Sequence, residues 1–289
     1  MKIFISGASG LLGGNCLKYF KEQGMQTIGS HLSYPTTQTV YFDSLNQSQP
    51  DSFDLLKFNP DVIIHCGALT HVDHCEEHQD ESYEKTVRST ELLIQTAKKC
   101  NAKFVYISTD YIFDGANGPY TETAPINPIN IYGMHKLQAE KLVMKYSVNS
   151  LIIRITNVYG NEERGKNFIS RIIRQCEEHN TLKLDLPFDQ YATPTNAYDI
   201  ARALFLLIKD NKFGIYNLSG TDYMNRVTLA LKVLRHFPNA KYVLNSYSTK
   251  ALNQKAQRPL LGGLIPFRFL KEYPDFLFGN LDDYLKKIP

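Results

Sequence analysis

Tyr132 and Lys136 lie four residues apart in a stretch, 130–143, that reads as a helix. Residues at i and i+4 share one helix face. An ammonium beside a phenol favours the phenolate, so this pair suits proton transfer near neutral pH. With 18 tyrosines in the chain, about one Tyr-x-x-x-Lys is expected by chance. The chain has one, so its position carries the inference: it falls between the fourth and fifth apolar strands. A second group of polar residues ends the apolar run 103–108, where Ser108, Thr109 and Asp110 follow one another. Ligands of parallel α/β sheets sit outside the carboxyl ends of the strands. A hydroxyl there can hydrogen-bond a carbonyl oxygen beside Tyr132.

The third group is "ISGASGLLGG", with Gly7, Gly10 and Gly13 spaced G-x-x-G-x-x-G between a strand and a helix. Gly7 permits the tight turn, Gly10 lets a pyrophosphate approach the backbone, and the helix offers free N–H groups. Ser9, Leu11 and Leu12 belong to the same dinucleotide cradle. At the end of the second strand, "GSHLSY" contains neither Asp nor Arg. The missing acid leans toward NADP over NAD, with Ser30 and His31 as donors to a 2′-phosphate; His31 reads equally well as a loop residue. Asp43, followed by Ser44, either reaches the adenine side or caps the next helix. Cys66, Gly67, Ala68 and Thr70 follow the third core strand, where backbone passes the cofactor.

These residues need a scaffold. Segments 2–6, 26–29, 61–65, 103–108 and 151–155 read as strands, several of them continuously apolar. Helical stretches near 79–100 and 133–147 separate the later ones. Strands buried on both faces and alternating with helices predict an α/β fold, a doubly wound parallel Rossmann sheet. After about residue 160 the rhythm changes to helices at 167–179, 198–209 and 227–237 with a strand at 214–220. The expected division is an NAD(P)-binding domain over 1–160, joined by 195–215, and a smaller C-terminal substrate-binding lobe over 161–289.

The 43% apolar content suffices for a large core, and the net charge of +3 is dispersed. That gives no case for nucleic acid or membrane as a partner. Five scattered cysteines without a CxxC, and no apolar run long enough for a signal core or a span, point to a cytoplasmic protein with reduced thiols. The chain allows a homodimer without specifying one.

Taken together, the glycine loop, the strand-end Ser-Thr and the Tyr-x-x-x-Lys resemble the extended short-chain dehydrogenase/reductase superfamily. "STDYIFDG" is more specific and resembles the signature of the dTDP-4-dehydrorhamnose reductase family. "HCGALTHVDHCEEH", "NPINIYGMHKLQAEK", "DQYATPTNAYDIARAL" and "AQRPLLGGL" extend that likeness along nearly the whole chain. The resemblance implies that Thr109, Tyr132 and Lys136 are the catalytic trio of an NAD(P)H-dependent reductase. Hydride would go to the C4 carbonyl of a nucleotide-linked deoxysugar, with Tyr132 protonating the alkoxide and Thr109 orienting the carbonyl. Asp110, Tyr111 and Asn157 would line the sugar pocket, and Arg258 would meet a diphosphate. Three positions depart from the family pattern. Thr86 stands where Asn is usual, Asn157 where Trp is usual, and Ala192-Thr193 replaces a Gly-containing version.

Two rival readings remain. A sugar-nucleotide epimerase shares the architecture, whereas a dehydratase would carry Asp-Glu after the threonine and here Tyr111 follows Asp110. A non-catalytic dinucleotide-binding subunit, like the regulatory subunit of methionine adenosyltransferase, resembles the same family. The cluster His71, His74, Cys75, Glu77 and His78 has metal-ligand spacing. It also reads as a polar helix start capped by Asp73, so no metal is expected. Arg171 and Arg174 read as a solvated face or as part of a phosphate pocket.

Overall fold

The computed structural model describes residues 1–146 and 149–288. Its strands begin with β1 (Lys2–Ser6), β2 (Gln26–His31), β3 (Thr39–Tyr41), β4 (Val62–His65), β5 (Lys103–Thr109) and β6 (Leu151–Ile155). They continue with β7 (Val158–Tyr159), β8 (Leu182–Pro187), β9 (Tyr191–Ala192), β10 (Thr195–Asn196), β11 (Gly214–Asn217), β12 (Met224–Asn225) and β13 (Tyr242–Tyr247). The helices are α1 (Leu11–Glu22), α2 (Leu55–Phe58), α3 (Val72–Glu77), α4 (Gln79–Tyr83), α5 (Ser89–Lys99) and α6 (Ile131–Tyr146). After them come α7 (Phe168–Glu177), α8 (Ala197–Lys209), α9 (Arg226–His236), α10 (Phe267–Glu272) and α11 (Leu281–Leu285).

Seven strands form one parallel sheet in the order β11-β6-β5-β4-β1-β2-β3. The period of two explains the continuous apolar runs. Ile3 and Ile5 of β1, with Val105 and Ile107 of β5, face a core shared with α1 and α8. Phe4, Phe104 and Tyr106 point the other way, into a core shared with α5 and α6. Helices therefore cover both faces, as the alternation predicts. β1 lies between β2 and β4, so the chain winds outward in both directions from it. This reversal opens a crevice at the carboxyl ends of β1 and β4.

A separate apolar core joins α7, α9, α11 and the inner side of β8. β8 pairs in parallel with β13, and β9 pairs antiparallel with β12. β11 and α8, though late in the chain, belong to the sheet and its covering layer.

Several elements differ from the sequence expectation. β2 extends beyond 26–29 to His31, and β5 extends to Thr109. β3 and β13 have no counterpart in the sequence reading. β13 is almost wholly exposed and β3 half-buried throughout, so neither shows an alternating pattern. The helical stretch from 79 is broken by a π-helical turn over Glu84–Arg88, which carries the departure residue Thr86.

Candidate active site

β5 delivers Thr109 in extended conformation, and a 3-10 turn over Asp110–Ile112 follows. Thr109 Oγ1 accepts from the Tyr111 amide at 3.2 Å and donates to Asp110 Oδ1 at 3.3 Å. Asp110 is buried, and its Oδ2 accepts from Thr156 Oγ1 (2.7 Å) and the Gly263 amide (3.1 Å). Burial pushes its carboxyl pKa up, against those hydrogen bonds. Asp110 thus ties β5 to the C-terminal loop, while one edge of it lines the small cavity described below.

α6 presents Tyr132 from its first turn. Glu76 Oε2 accepts from the Ile131 amide at 3.0 Å, and Asn130 Oδ1 accepts from Gly133 at 2.8 Å. These two side chains satisfy helix N-terminal donors that otherwise lack partners. Neither was singled out from sequence, although Asn two residues before Tyr132 is a visible capping signal. A Cβ at Gly133 would lie 2.1 Å from the Tyr111 carbonyl oxygen, so only glycine lets α6 press against the turn after Thr109. Tyr132 lies close enough to Thr109 for that hydroxyl to influence its phenol, and its ring meets that of Tyr111 at 5.5 Å.

Lys136 shares that helix face but is buried. Its Nζ donates to the Ile107 carbonyl at 2.5 Å and lies 4.4 Å from the Tyr106 ring centroid. Burial lowers its pKa to about 8, with Glu140 acting in the opposite sense. The sequence expectation was that the lysine lowers the Tyr132 pKa. The direction here is upward: burial dominates, and the nearby Thr109 hydroxyl only partly offsets it. Tyr132 is therefore held as the neutral phenol. Ser108 is buried beneath the strand end, and its Oγ has no partner among the described residues.

The glycine loop lies at the crevice. Gly7 adopts a φ of 72° and packs on Gly67, where its Cβ would meet the Gly67 nitrogen at 2.9 Å. Gly10 opens α1 with no side-chain cap, leaving the first helical N–H groups uncapped, and Ser9, Leu11 and Leu12 flank it. A cavity of about 890 Å³ borders Ala8 to Leu11 and is closed by residues of α8, the 161–163 loop and α11. Ser30 is buried, and its carbonyl accepts from the Ala8 amide at 2.7 Å. His31 Nδ1 is 2.8 Å from Thr39 Oγ1. Asp43 Oδ1 accepts from the Leu45 amide at 2.9 Å, a local turn, and the Ser44 carbonyl accepts from Gln47. Cys66 follows β4, and its amide donates to Ser6 at 3.1 Å. Burial pushes its thiol up to about 12, which leaves it un-ionised. Ala68 is half-buried and Thr70 exposed in the loop beyond.

Beyond the end of β5, Asp110, Tyr111, Asn157, Gln190 and Arg226 line a cavity of only about 20 Å³. Asn157 has a φ of 39°, and its Oδ1 accepts from Arg226 Nη2 at 2.8 Å. Arg258, next to the cavity-lining Pro259, is engaged by other partners: Nη2 donates to Asp73 Oδ2 at 2.7 Å and Nη1 to the Ala256 carbonyl. Asp73 is consequently not the cap of α3. His71 is, accepting from the His74 amide through Nδ1. His74 instead meets Glu81 at 2.7 Å and stacks on His78. Two arginines escaped the sequence reading. Arg226 opens α9 one residue before the expected start. Arg164 places its guanidinium 5.1 Å from the Tyr34 ring centroid, beyond the end of β2, and its Nε has no partner among the described residues.

The family model for the RmlD substrate binding domain matches residues 1–265. The dTDP-4-dehydrorhamnose reductase of Aggregatibacter actinomycetemcomitans is 29% identical over 276 residues, covering 89% of this chain and 88% of that protein. Methionine adenosyltransferase 2 subunit beta of Bos taurus is 29% identical over 243 residues, covering 82% of this chain and 72% of that protein. The dTDP-4-dehydrorhamnose reductase of Bacillus anthracis, solved in complex with NADP, superposes with a TM-score of 0.85 at 26% identity, covering 99% of this chain and 97% of the other. A match over 1–265 leaves only the C-terminal segment outside it, and the chain belongs to the RmlD substrate binding domain family.

Proposed function

We propose that the protein is an NAD(P)H-dependent reductase of a nucleotide-linked 4-keto-deoxysugar, with NADP(H) the favoured cofactor. The observation that carries this reading is the convergence of Thr109, at the end of β5, and Tyr132, on the first turn of α6, with the Tyr111 ring packed against Tyr132 and Lys136 buried one helical turn on. The glycine loop fits a dinucleotide. The start of α1 is uncapped, and a Cβ at Gly10 would touch only the Gly7 carbonyl oxygen at 3.4 Å, so the loop surface is open there. Ser9 to Leu12 would hold the pyrophosphate, Gly67 to Thr70 would flank the cofactor, and Lys136 would hold its ribose. Arg164 beside Tyr34 would favour the form bearing a 2′-phosphate.

The nicotinamide ring supplies the hydride when bound. Thr109 orients the carbonyl oxygen through its hydroxyl. Tyr132, kept protonated by burial, donates its proton to that oxygen as the carbonyl is reduced. Asp110, Tyr111 and Asn157 would face the sugar, and the 161–289 segment would close the pocket over them with Gln190, Tyr191 and Arg226. Because the cavity there is small, the enclosing loops must part to admit a sugar nucleotide. The test is oxidation of NADPH and NADH against a panel of 4-keto nucleotide sugars. Turnover with at least one of them is expected, and faster with NADPH.

That small cavity, with the 29% identity to a methionine adenosyltransferase subunit beta, favours a second reading: a dinucleotide-binding regulatory subunit. It predicts a stoichiometric protein partner and no turnover on any member of the panel. An epimerase would instead isomerise a sugar nucleotide without net consumption of cofactor.

A further inference from the structure

We propose that Arg226, aimed by Asn157, is the anion receptor of the substrate pocket and selects substrates through an anionic oxygen group, a phosphate or a carboxylate. The inference rests on the reading that this pocket takes a sugar nucleotide. Arg226 is half-buried on the first turn of α9. Its guanidinium donates to a neutral acceptor, Asn157 Oδ1 at 2.8 Å, and lies 5.2 Å from the Phe168 ring centroid. No carboxylate forms an ion pair with it among the described residues, whereas Arg154, Arg202, Arg258 and Arg268 each have one. The acid within electrostatic reach, Asp110, has its carboxylate occupied by Thr156 and the Gly263 amide.

A guanidinium partly withdrawn from water without a counter-ion is costly, and the cost is recovered when an anion completes it. Arg171 and Arg258 add positive potential around Arg226, and Tyr111 faces it from the floor beside Thr109. Arg258 is already neutralised by Asp73 at 2.7 Å, and Arg171 is exposed. Arg226 is thus the cation with free hydrogen-bonding capacity inside the pocket. Asn157, where the resembled family carries a bulky apolar ring, supplies both the space and the amide that orients it.

The test measures binding of dTDP, UDP-glucose and UDP-glucuronate by titration calorimetry to wild type, Arg226→Gln and Arg226→Lys, with NADPH binding as the check on folding. If the anion is the diphosphate, Arg226→Gln weakens all three by roughly 10- to 100-fold. If it is a carboxylate, only UDP-glucuronate weakens by that factor. Either result supports the receptor, and NADPH affinity stays within about twofold, since Arg226 lines the cavity of Asp110 and Asn157 and not the one that borders the glycine loop. Should the Gln variant lose NADPH binding, Arg226→Lys carries the test, with at least about threefold weakening expected from loss of the planar fork. Unchanged affinity for all three ligands in the variant that folds, or no binding of any of them by wild type, overturns the proposal. Failure of the reductase reading alone would appear as absent NADPH oxidation and leave these binding constants unaffected.

Discussion

Gly13→Ala and Gly10→Ala should separate the two duties of the glycine loop. A Cβ at Gly13 would lie 2.5 Å from the Gly7 carbonyl oxygen and 2.8 Å from the Ala8 Cα. Both are backbone atoms, and Gly7 packs so closely on Gly67 that even a Cβ there would lie 2.9 Å from the Gly67 nitrogen, so the loop has little room to retreat. Helix α1 must move outward by roughly 0.5–1 Å, an overpacking strain of about 1–3 kcal/mol. Alanine's better helix propensity returns about 1 kcal/mol. A net loss on the order of 1 kcal/mol is expected, read as a Tm lower by about 2–4 °C. Cofactor affinity should fall by at least roughly tenfold, because the uncapped N–H groups move with α1. Gly10 is the contrasting case. Its Cβ meets only the Gly7 oxygen at 3.4 Å, an ordinary contact. Gly10→Ala should hold Tm within about 2 °C, since only a capping preference is lost, yet weaken NADPH binding by a similar tenfold or more. NADPH fluorescence titration and thermal melting read both effects. Wild-type Tm and affinity in Gly13→Ala, or wild-type affinity in Gly10→Ala, would refute the reasoning.

Other perturbations test the remaining structure. Glu140 and Arg154 form an ion pair at 2.8 Å with both side chains fully buried, so Glu140→Gln should cost about 3–5 kcal/mol in urea unfolding. Arg164→Gln should narrow the preference for NADPH over NADH by roughly tenfold in Kd, with NADH binding little changed. His65 is buried, its Nδ1 2.6 Å from Ser6 Oγ, and burial lowers its pKa from 6.5 to about 3. The unfolded chain then binds the extra proton between these values, so stability should fall as pH drops from 6.5 toward 3. Replacing His65 by Gln should flatten that part of a stability-against-pH curve measured by urea unfolding.

The fold was legible where burial on both sides makes strands continuously apolar. Segments 2–6 and 151–155 match β1 and β6 residue for residue. β13 was not legible, because a strand exposed along nearly its whole length has no pattern to read. Near the candidate site, Thr109, Tyr132 and Lys136 could be named because strand ends and i,i+4 spacing are local properties. What the spacing could not reveal was the balance of forces on Tyr132, which depends on burial by residues distant in sequence. Long-range partners were invisible for the same reason. Arg258 pairs with Asp73, 185 residues away, and Arg226 bonds Asn157, 69 residues away.

The central claim is that Tyr132 delivers the proton in a reduction of a 4-keto sugar nucleotide. The most direct measurement compares NADPH oxidation by wild type and Tyr132→Phe on a 4-keto nucleotide sugar, with NADPH affinity measured in parallel. The account predicts turnover by wild type, a loss of about 10²-fold or more in kcat for Tyr132→Phe, and a Kd for NADPH within about twofold. Wild-type kcat in Tyr132→Phe, or a wild-type protein that binds NADPH yet oxidises it with no 4-keto sugar nucleotide, would contradict it.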